Sequence, residues 1–312
     1  MDRENFTSVT EFILLGLTSQ PTIQTALFVV FLIFYLITLL GNFLIVLLSK
    51  VDPRLGTPMY FFLSNLSFLD ICYTSSISPK MLINFLVKRK SISFQGCAAQ
   101  MFIHLALGGT ECYLLMVMAY DRYVAICSPL HYTNIMNNSL CIRLAVGSWL
   151  GGIVNSVIHT ALALLLPYCG PNVINHFFCE VPAVIELACT DVSTNKTVIF
   201  VCAILVVMIP FFLILITYVR ILTSILKIRS AAGRKKAFST CASHLTVVTL
   251  FYGTIIFMYM RPGTSGHSEQ DKMSTLFYSV VTPMLNPIIY SLRNKDVKNA
   301  FIKLTMKKAT SQ

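Results

Sequence analysis

The stretch MAYDRYVAIC, Met118 to Cys127, decides how this chain is read. It closes a long apolar run with adjacent Asp121 and Arg122. Burying such a charge pair is costly, and a soluble core avoids one unless it is paired and hydrogen-bonded. Taken alone, an Asp-Arg step is the solvated end of a helix. What it means here depends on the rest of the chain.

The chain has 312 residues, is 55% hydrophobic and only 12% charged. Soluble domains carry nearer a quarter charged residues, so a water-soluble globule is not expected. The net charge of +11 does not by itself call for nucleic acid, because basic loops beside apolar spans are what cytoplasmic membrane flanks look like. The opening Met1-Asp-Arg-Glu has no basic stretch leading an early apolar run, so the first long apolar segment is expected to act as its own insertion signal. Apolar segments lie at about 24–49, 58–86, 98–120, 141–167, 197–226, 238–260 and 272–292. Each can cross roughly 30 Å of hydrocarbon as a helix. With no internal repeat, low-complexity tract or Pro/Gly linker, residues 1–312 read as one domain. The expected fold is an all-α membrane protein, a seven-transmembrane helix bundle with a short amphipathic helix after the seventh span.

Charge orients the bundle. With the N-terminus outside, most of the 24 basic residues fall on the inner side, including Lys227, Arg229, Arg234 to Lys236, Arg293 and the tail lysines. The inner acids are then only Asp52, Asp121 and Asp296; the inner excess of Lys and Arg supports this orientation by the positive-inside rule. Residues 1–23 become an extracellular N-terminus and 293–312 a cytoplasmic tail, which suits a multi-pass plasma-membrane protein. Lys88-Arg89-Lys90 votes the other way, since it would be extracellular. Cys97, Cys169, Cys179 and Cys189 all fall outside, where disulfides persist. Four cysteines allow three pairings, and spacing does not choose among them. Of four N-x-[ST] matches, Asn65 lies in a span and Asn137 in an inner loop, leaving Asn5 and Asn195 as plausible glycan acceptors.

In this topology Asp121-Arg122-Tyr123 stands at the cytoplasmic end of the third helix. Seven helices, "DRY" at that place, "NPIIY" from Asn286 to Tyr290, Cys97 at the outer end of helix three and Trp149 in helix four together resemble a rhodopsin-like G-protein-coupled receptor. A narrower set follows: "LHY" at 130–132, "PMYFFLSNLSFLD" from Pro58, "KAFSTCASHL" from Lys236 and "PMLNPIIYSLRN" from Pro283. That set resembles the odorant receptor family of the tetrapod type, and the similarity runs from "NFTSVTEFILLGL" to the short basic tail. The chain departs at "TYVRIL", Thr217 to Leu222, where a Ser-Tyr pair is commoner; Thr217 keeps the hydroxyl. The tail after Asn294 has no Cys, so palmitoyl anchoring is not supported.

The resemblance implies a receptor, not an enzyme, whose partners are a small volatile odorant, a heterotrimeric stimulatory G protein of the olfactory type and membrane lipid. It implies bridges Cys97–Cys179 and Cys169–Cys189. It gives Asp121, Arg122, Tyr123, Tyr218, His244, Asn286, Pro287 and Tyr290 roles in activation and coupling. His244, with only Cys241 a turn away, suits a conformational lock better than a metal site. Asp70 and Glu111 are carboxylates inside spans, which are costly and usually functional. Glu111 precedes Arg122 by about 16 Å of helix, and Asp70 lies at similar depth. Two readings stand: a hydrogen-bonded, partly protonated pair holding helices together, or a sodium site completed by Asn286, since hard oxygens suit that ion. The resemblance points to the second. No other cofactor is called for.

Rival classes fare worse. A secondary transporter would show repeats and paired broken helices, and Ser-His-Asp catalysis has no nucleophile elbow here. The expected ligand pocket lies outward of Glu111, between helices three, five, six and seven. Helix three offers His104, Leu105 and Gly108, helix five Cys202 and Val206, and helix six Tyr252, Ile256 and Tyr259 at i, i+4 and i+7. No Asp or Glu is expected there to bind an amine. The expected ligand is a small, neutral, mostly apolar volatile, oriented by one hydrogen bond.

Overall fold

In the computed structural model, residues 9–259, 269–293, 297 and 300 are described. Seven long helices dominate: α1 (Pro21–Val51), α2 (Pro58–Leu86), α3 (Phe94–Cys127), α4 (Asn138–Leu164), α5 (Ser193–Leu226), α6 (Ala231–Tyr259) and α7, which begins at Glu269 and ends at Arg293. Apart from Val297 and Ala300, which pack into the core, the amphipathic helix expected after the seventh span lies outside the described residues. Five helices, α1 and α3 to α6, are individually long and apolar enough to cross a membrane. The polar residues of α2 and α7 point inward: Ser67, Asp70, Thr74 and Ser78 on one, Thr275, Ser279, Thr282 and Asn286 on the other, all buried. That is how a span with lower hydropathy still presents an apolar face to lipid.

Prolines set the irregularities. A proline removes a backbone donor and clashes with the carbonyl four residues earlier. Pro210 and Pro283 each follow a π-helical turn, Ile204–Met208 in α5 and Phe277–Val281 in α7, which takes up that clash within an otherwise continuous helix.

Central α3 packs against α2, α4, α5 and α6. Its closest approach is to α4, where a Cβ built on Gly152 would lie 2.2 Å from Thr110 Oγ1 and 2.3 Å from the Ala106 carbonyl. Trp149 Nε1 donates to Asn65 Oδ1 at 3.2 Å, tying α4 to α2. Asn137 caps α4 by accepting from the Leu140 N–H. The two glycan-motif asparagines dismissed from topology thus both have structural partners.

The helical expectation needs one addition, a three-stranded sheet at the disulfide end. β1 (Glu11–Leu14) lies between antiparallel β2 (Ser91–Ser93) and parallel β3 (Val173–Ile174). Phe12 and Leu14 alternate inward, as a strand requires, and bury against Tyr168, Cys97 and Ile185. Burial holds the Tyr168 phenol up at about 12, and its hydroxyl donates to the Ala163 carbonyl. The basic loop that argued against the orientation rule has a local use here. Arg89 pairs with Glu11, and Lys90 Nζ donates to the Leu15 and Thr18 carbonyls.

Both disulfides, Cys97–Cys179 and Cys169–Cys189, are present, with Cα–Cα distances of 5.4 and 6.0 Å. Asn5 lies outside the described residues. Asn195 requires a correction as a glycan acceptor: it is buried, and its Nδ2 donates to the Leu162 carbonyl at 3.3 Å.

The α3–α4 contact is testable by thermal unfolding of purified protein. Gly152→Ala should destabilise it by about 1–3 kcal/mol through overpacking. Gly147→Ala on the same helix, with nothing within 4 Å of the new Cβ, should be neutral or slightly stabilising.

Candidate functional site

Toward the disulfide end the helices part around a cavity of about 150 Å³. A dry apolar cavity of roughly that size holds a benzene-sized molecule. α3 contributes His104, Leu105, Gly108, Gly109 and Cys112, and α5 contributes Cys202, Val206 and Val207. His104, Leu105, Gly108, Cys202 and Val206 are therefore brought together. Gly108 faces Tyr73, whose hydroxyl would lie 3.7 Å from an added Cβ. His104 Nε2 lies 3.4 Å from the Tyr73 hydroxyl and 3.3 Å from that of Tyr278, so α2, α3 and α7 meet on one imidazole.

Helix six corrects the expected stripe. Phe251 and Ile255 line the cavity, whereas Tyr252 is fully buried with its hydroxyl donating to the Cys112 carbonyl and its ring against Phe211. Ile256 packs against the core that contains Tyr252. One residue is 100° of helix, so the lining face is that of 251 and 255. The Tyr259 side chain lies outside the described residues.

Sequence reasoning misses the polar lining residues Tyr73 on α2, Tyr278 on α7, Asn155 and His159 on α4, and Glu180 from the loop after α4. The absence of an acid from the pocket is thereby overturned. Glu180 follows Cys179 directly, and the Cys97 bridge together with a hydrogen bond from the Cys179 N–H to Gln100 Oε1 holds that loop on α3. Its carboxylate lies 3.4 Å from His176 Nε2. Counting depth along the helices cannot reveal a residue delivered by a loop.

A second constellation lies deeper. Asn286 Nδ2 donates to Asp70 Oδ2 at 2.9 Å. Asp70 Oδ1, both Glu111 oxygens and Asn286 Oδ1 are buried with no hydrogen-bond partner among the described residues.

At the opposite end, the main partner of Asp121 is not its neighbour. Tyr132 of the "LHY" stretch donates to Asp121 Oδ1 at 2.7 Å, while Arg122 stands 3.8 Å from Oδ2. Beside them His244 bridges helices: its Nε2 lies 3.1 Å from the Leu115 carbonyl, and its Nδ1 2.6 Å from the Tyr218 hydroxyl. A carbonyl can only accept, so Nε2 carries the proton and Nδ1 accepts from Tyr218. Tyr290 is buried nearby. Tyr123 is half-buried against the same core, and Pro287 packs toward Gly41 of α1, where an added Cβ would come within 2.8 Å of its ring.

Comparison with known proteins identifies this architecture. Residues 31–308 match the family described as olfactory receptor. The human protein "Olfactory receptor 2G3" is 54% identical over 300 residues, covering 96% of this chain and 97% of that one. The dog "Olfactory receptor-like protein OLF3" is 55% identical over 304 residues (97% and 96%), and the mouse "Olfactory receptor 5AR1" 51% over 308 (99% of each). The chain belongs to the olfactory receptor family, and is a seven-helix membrane receptor rather than an enzyme.

Proposed function

We propose that the cavity at the disulfide end binds a small, neutral, mostly apolar odorant carrying one hydrogen-bond donor. The observation that carries this is the cavity wall. It is mainly aliphatic and aromatic, with the Tyr73, His104 and Tyr278 group, Asn155, His159 and Glu180 as its polar points. An apolar body oriented by few polar contacts is the usual arrangement in small-molecule sites. Glu180 supplies an acceptor at the rim, with its carboxylate beside the His176 ring.

The disulfide end and N-terminus then face outside the plasma membrane, with Asn5 as the glycan acceptor. The Asp121 end faces the cytoplasm and a stimulatory, olfactory-type G protein that raises cyclic AMP. At that end Asp121 is held on Tyr132 and Tyr218 on His244. When α6 moves outward the Tyr218–His244–Leu115 link must break, which frees Tyr218 and Tyr290 to fill the gap and Arg122 to meet the G protein's C-terminal helix. A ligand favours that state only by its differential affinity for it.

A monovalent cation such as sodium fits between α2, α3 and α7. Asp70 Oδ1, both Glu111 oxygens and Asn286 Oδ1 are buried without a protein partner among the described residues, and a hard cation would satisfy such oxygens. Among the described residues no cluster of three or more His, Cys, Asp or Glu exists for a transition metal.

Screening volatiles against cyclic-AMP output in receptor-expressing cells tests the whole reading. Gly108→Leu, which fills the cavity, should abolish or shift the odorant response at normal surface level; an untouched odour profile would remove Gly108 from the site. Arg122→Ala should reach the surface and fail to signal, and normal signalling would refute the coupling mechanism. With an agonist from the same screen, replacing sodium by N-methylglucamine should change potency in the parent receptor and not in Glu111→Gln. An equal salt response in both would leave Asp70 and Glu111 a structural pair.

A further inference from the structure

Helices α4 and α5 each pack on α3, and they meet each other over the outer part of α5, Ser193–Ala203. On α4, Asn155, His159 and Leu162 share one face, at spacings of 4 and 3 residues. On α5, Asn195, Ile199, Cys202 and Val206 do the same at 4, 3 and 4. These two faces run antiparallel and are fastened at both ends. At the outer end Asn195 Nδ2 donates to the Leu162 carbonyl at 3.3 Å. That carbonyl lies in the last turn of α4, where the Leu166 N–H turns to Ala163 instead, so a side chain from α5 can take it. At the inner end both helices close over Gly109 of α3. A Cβ there would stand 3.2 Å from Gly152 Cα, 3.5 Å from Val206 Cγ1 and 3.7 Å from Asn155 Nδ2.

Between these two points, about 10 Å apart along α4, no hydrogen bond crosses the seam among the described residues. His159, Ile199 and Cys202 stand there, and all three line the cavity. Their chain neighbours Ile158 and Phe200 are exposed on the lipid side, at 39% and 66%. The seam is thus a wall one side chain thick between the cavity and hydrocarbon. Across the cavity, Tyr73, Phe251 and Tyr278 are backed by buried core instead. Two further features suit the thin wall to opening. The π-turn Ile204–Met208 sits at the inner end of the seam, and such a turn breaks the regularity of a helix just where function needs it. Asn155 and His159 also bring polar side chains without a partner among the described residues, which is costly beside lipid unless another polar group meets them.

We propose that the α4–α5 seam is a side portal through which a small apolar odorant passes from the outer leaflet into the cavity. The Asn195–Leu162 hydrogen bond is its latch and the π-turn its hinge. Asn155 and His159 meet the polar group of the odorant as it enters. Apolar molecules leave water for hydrocarbon, so an entrance on the lipid side draws on the larger pool of ligand. The route rests on the odorant reading of the cavity given above.

Fluorobenzene suits a cavity that holds a benzene-sized molecule. Fluorine NMR of the full chain in lipid nanodiscs reads both its bound fraction and its exchange rate. The parent receptor should show a saturable bound signal that Gly108→Leu removes. Asn195→Leu should speed exchange about fivefold, the factor for one hydrogen bond of ordinary net strength. Affinity should stay unchanged, because a latch acts on entry and exit alike. Thr197→Ala, which destroys the same glycan motif and keeps the latch, should exchange like the parent. If Asn195→Leu fails to fold, Asn195→Ala and Asn195→Ser should show the same direction. From the lipid side, a pyrenyl maleimide on Ile158→Cys should slow exchange severalfold. The same label on Val146→Cys, a lipid-facing position in the inner half of α4, should not.

Exchange unchanged by loss of the latch, or faster in Thr197→Ala as well, overturns the latch and the portal it closes. Exchange that responds to the latch but not to the Ile158 label overturns the lipid route and places the entrance on the outer solution. No bound signal in the parent receptor, or one that survives Gly108→Leu, overturns the cavity reading on which the portal rests.

Discussion

The Cys97–Cys179 bridge joins the central helix to a loop 82 residues further on, and the cavity end of the bundle is organised around it. The bridge removes loop-closure entropy from the segment after α4, which the Cys169–Cys189 bridge and the pairing of β3 with β1 also hold. With the Cys97–Cys179 bridge in place, the Cys179 N–H reaches Gln100, Glu180 enters the cavity wall, and Val173–Ile174 is presented as a sheet edge. Gln100 also donates to the Ser76 carbonyl at 3.0 Å, so the same point on α3 holds α2. One covalent contact thus sets both the pocket's rim and the platform on which the N-terminal segment docks.

Hydropathy made the helices legible because lipid-facing spans of twenty or more residues leave a strong signal. Each helix overlaps an apolar segment of the sequence. The sheet left none: strands of two to four residues are too short for a period to emerge from loop sequence. The lining of α6 was misplaced by one residue because Tyr252 and Phe251 are equally plausible pocket residues in sequence; only the Cys112 carbonyl, out of view until the helices pack, claims the tyrosine. Asn195 failed for a similar reason. Its motif is local, but its burial against α4 is tertiary.

At the other end the electrostatics differ from what adjacency suggests. Neighbours on a helix point about 100° apart, so Asp121 and Arg122 cannot share an axis and stay 3.8 Å apart. The phenol of Tyr132 approaches from outside the helix and makes the shorter contact. Hydrogen bonds to a carboxylate are among the stronger ones, which anchors the short helix Tyr132–Ile135 to the end of α3. The Tyr218–His244–Leu115 chain is the corresponding tie among α5, α6 and α3.

The middle strand of the small sheet is the first of the three in the chain. β1 needs Ser91–Ser93 on one side and Val173–Ile174 on the other, so it cannot be completed until more than half the chain has been synthesised. Loop contacts made across such sequence distances form late, because closure must precede reward. Phe12 and Leu14, nearly inaccessible in the finished protein, therefore remain uncovered through most of biosynthesis. The N-terminal segment is the earliest made and among the last to be fixed, and its docking reports that the disulfide end has closed correctly.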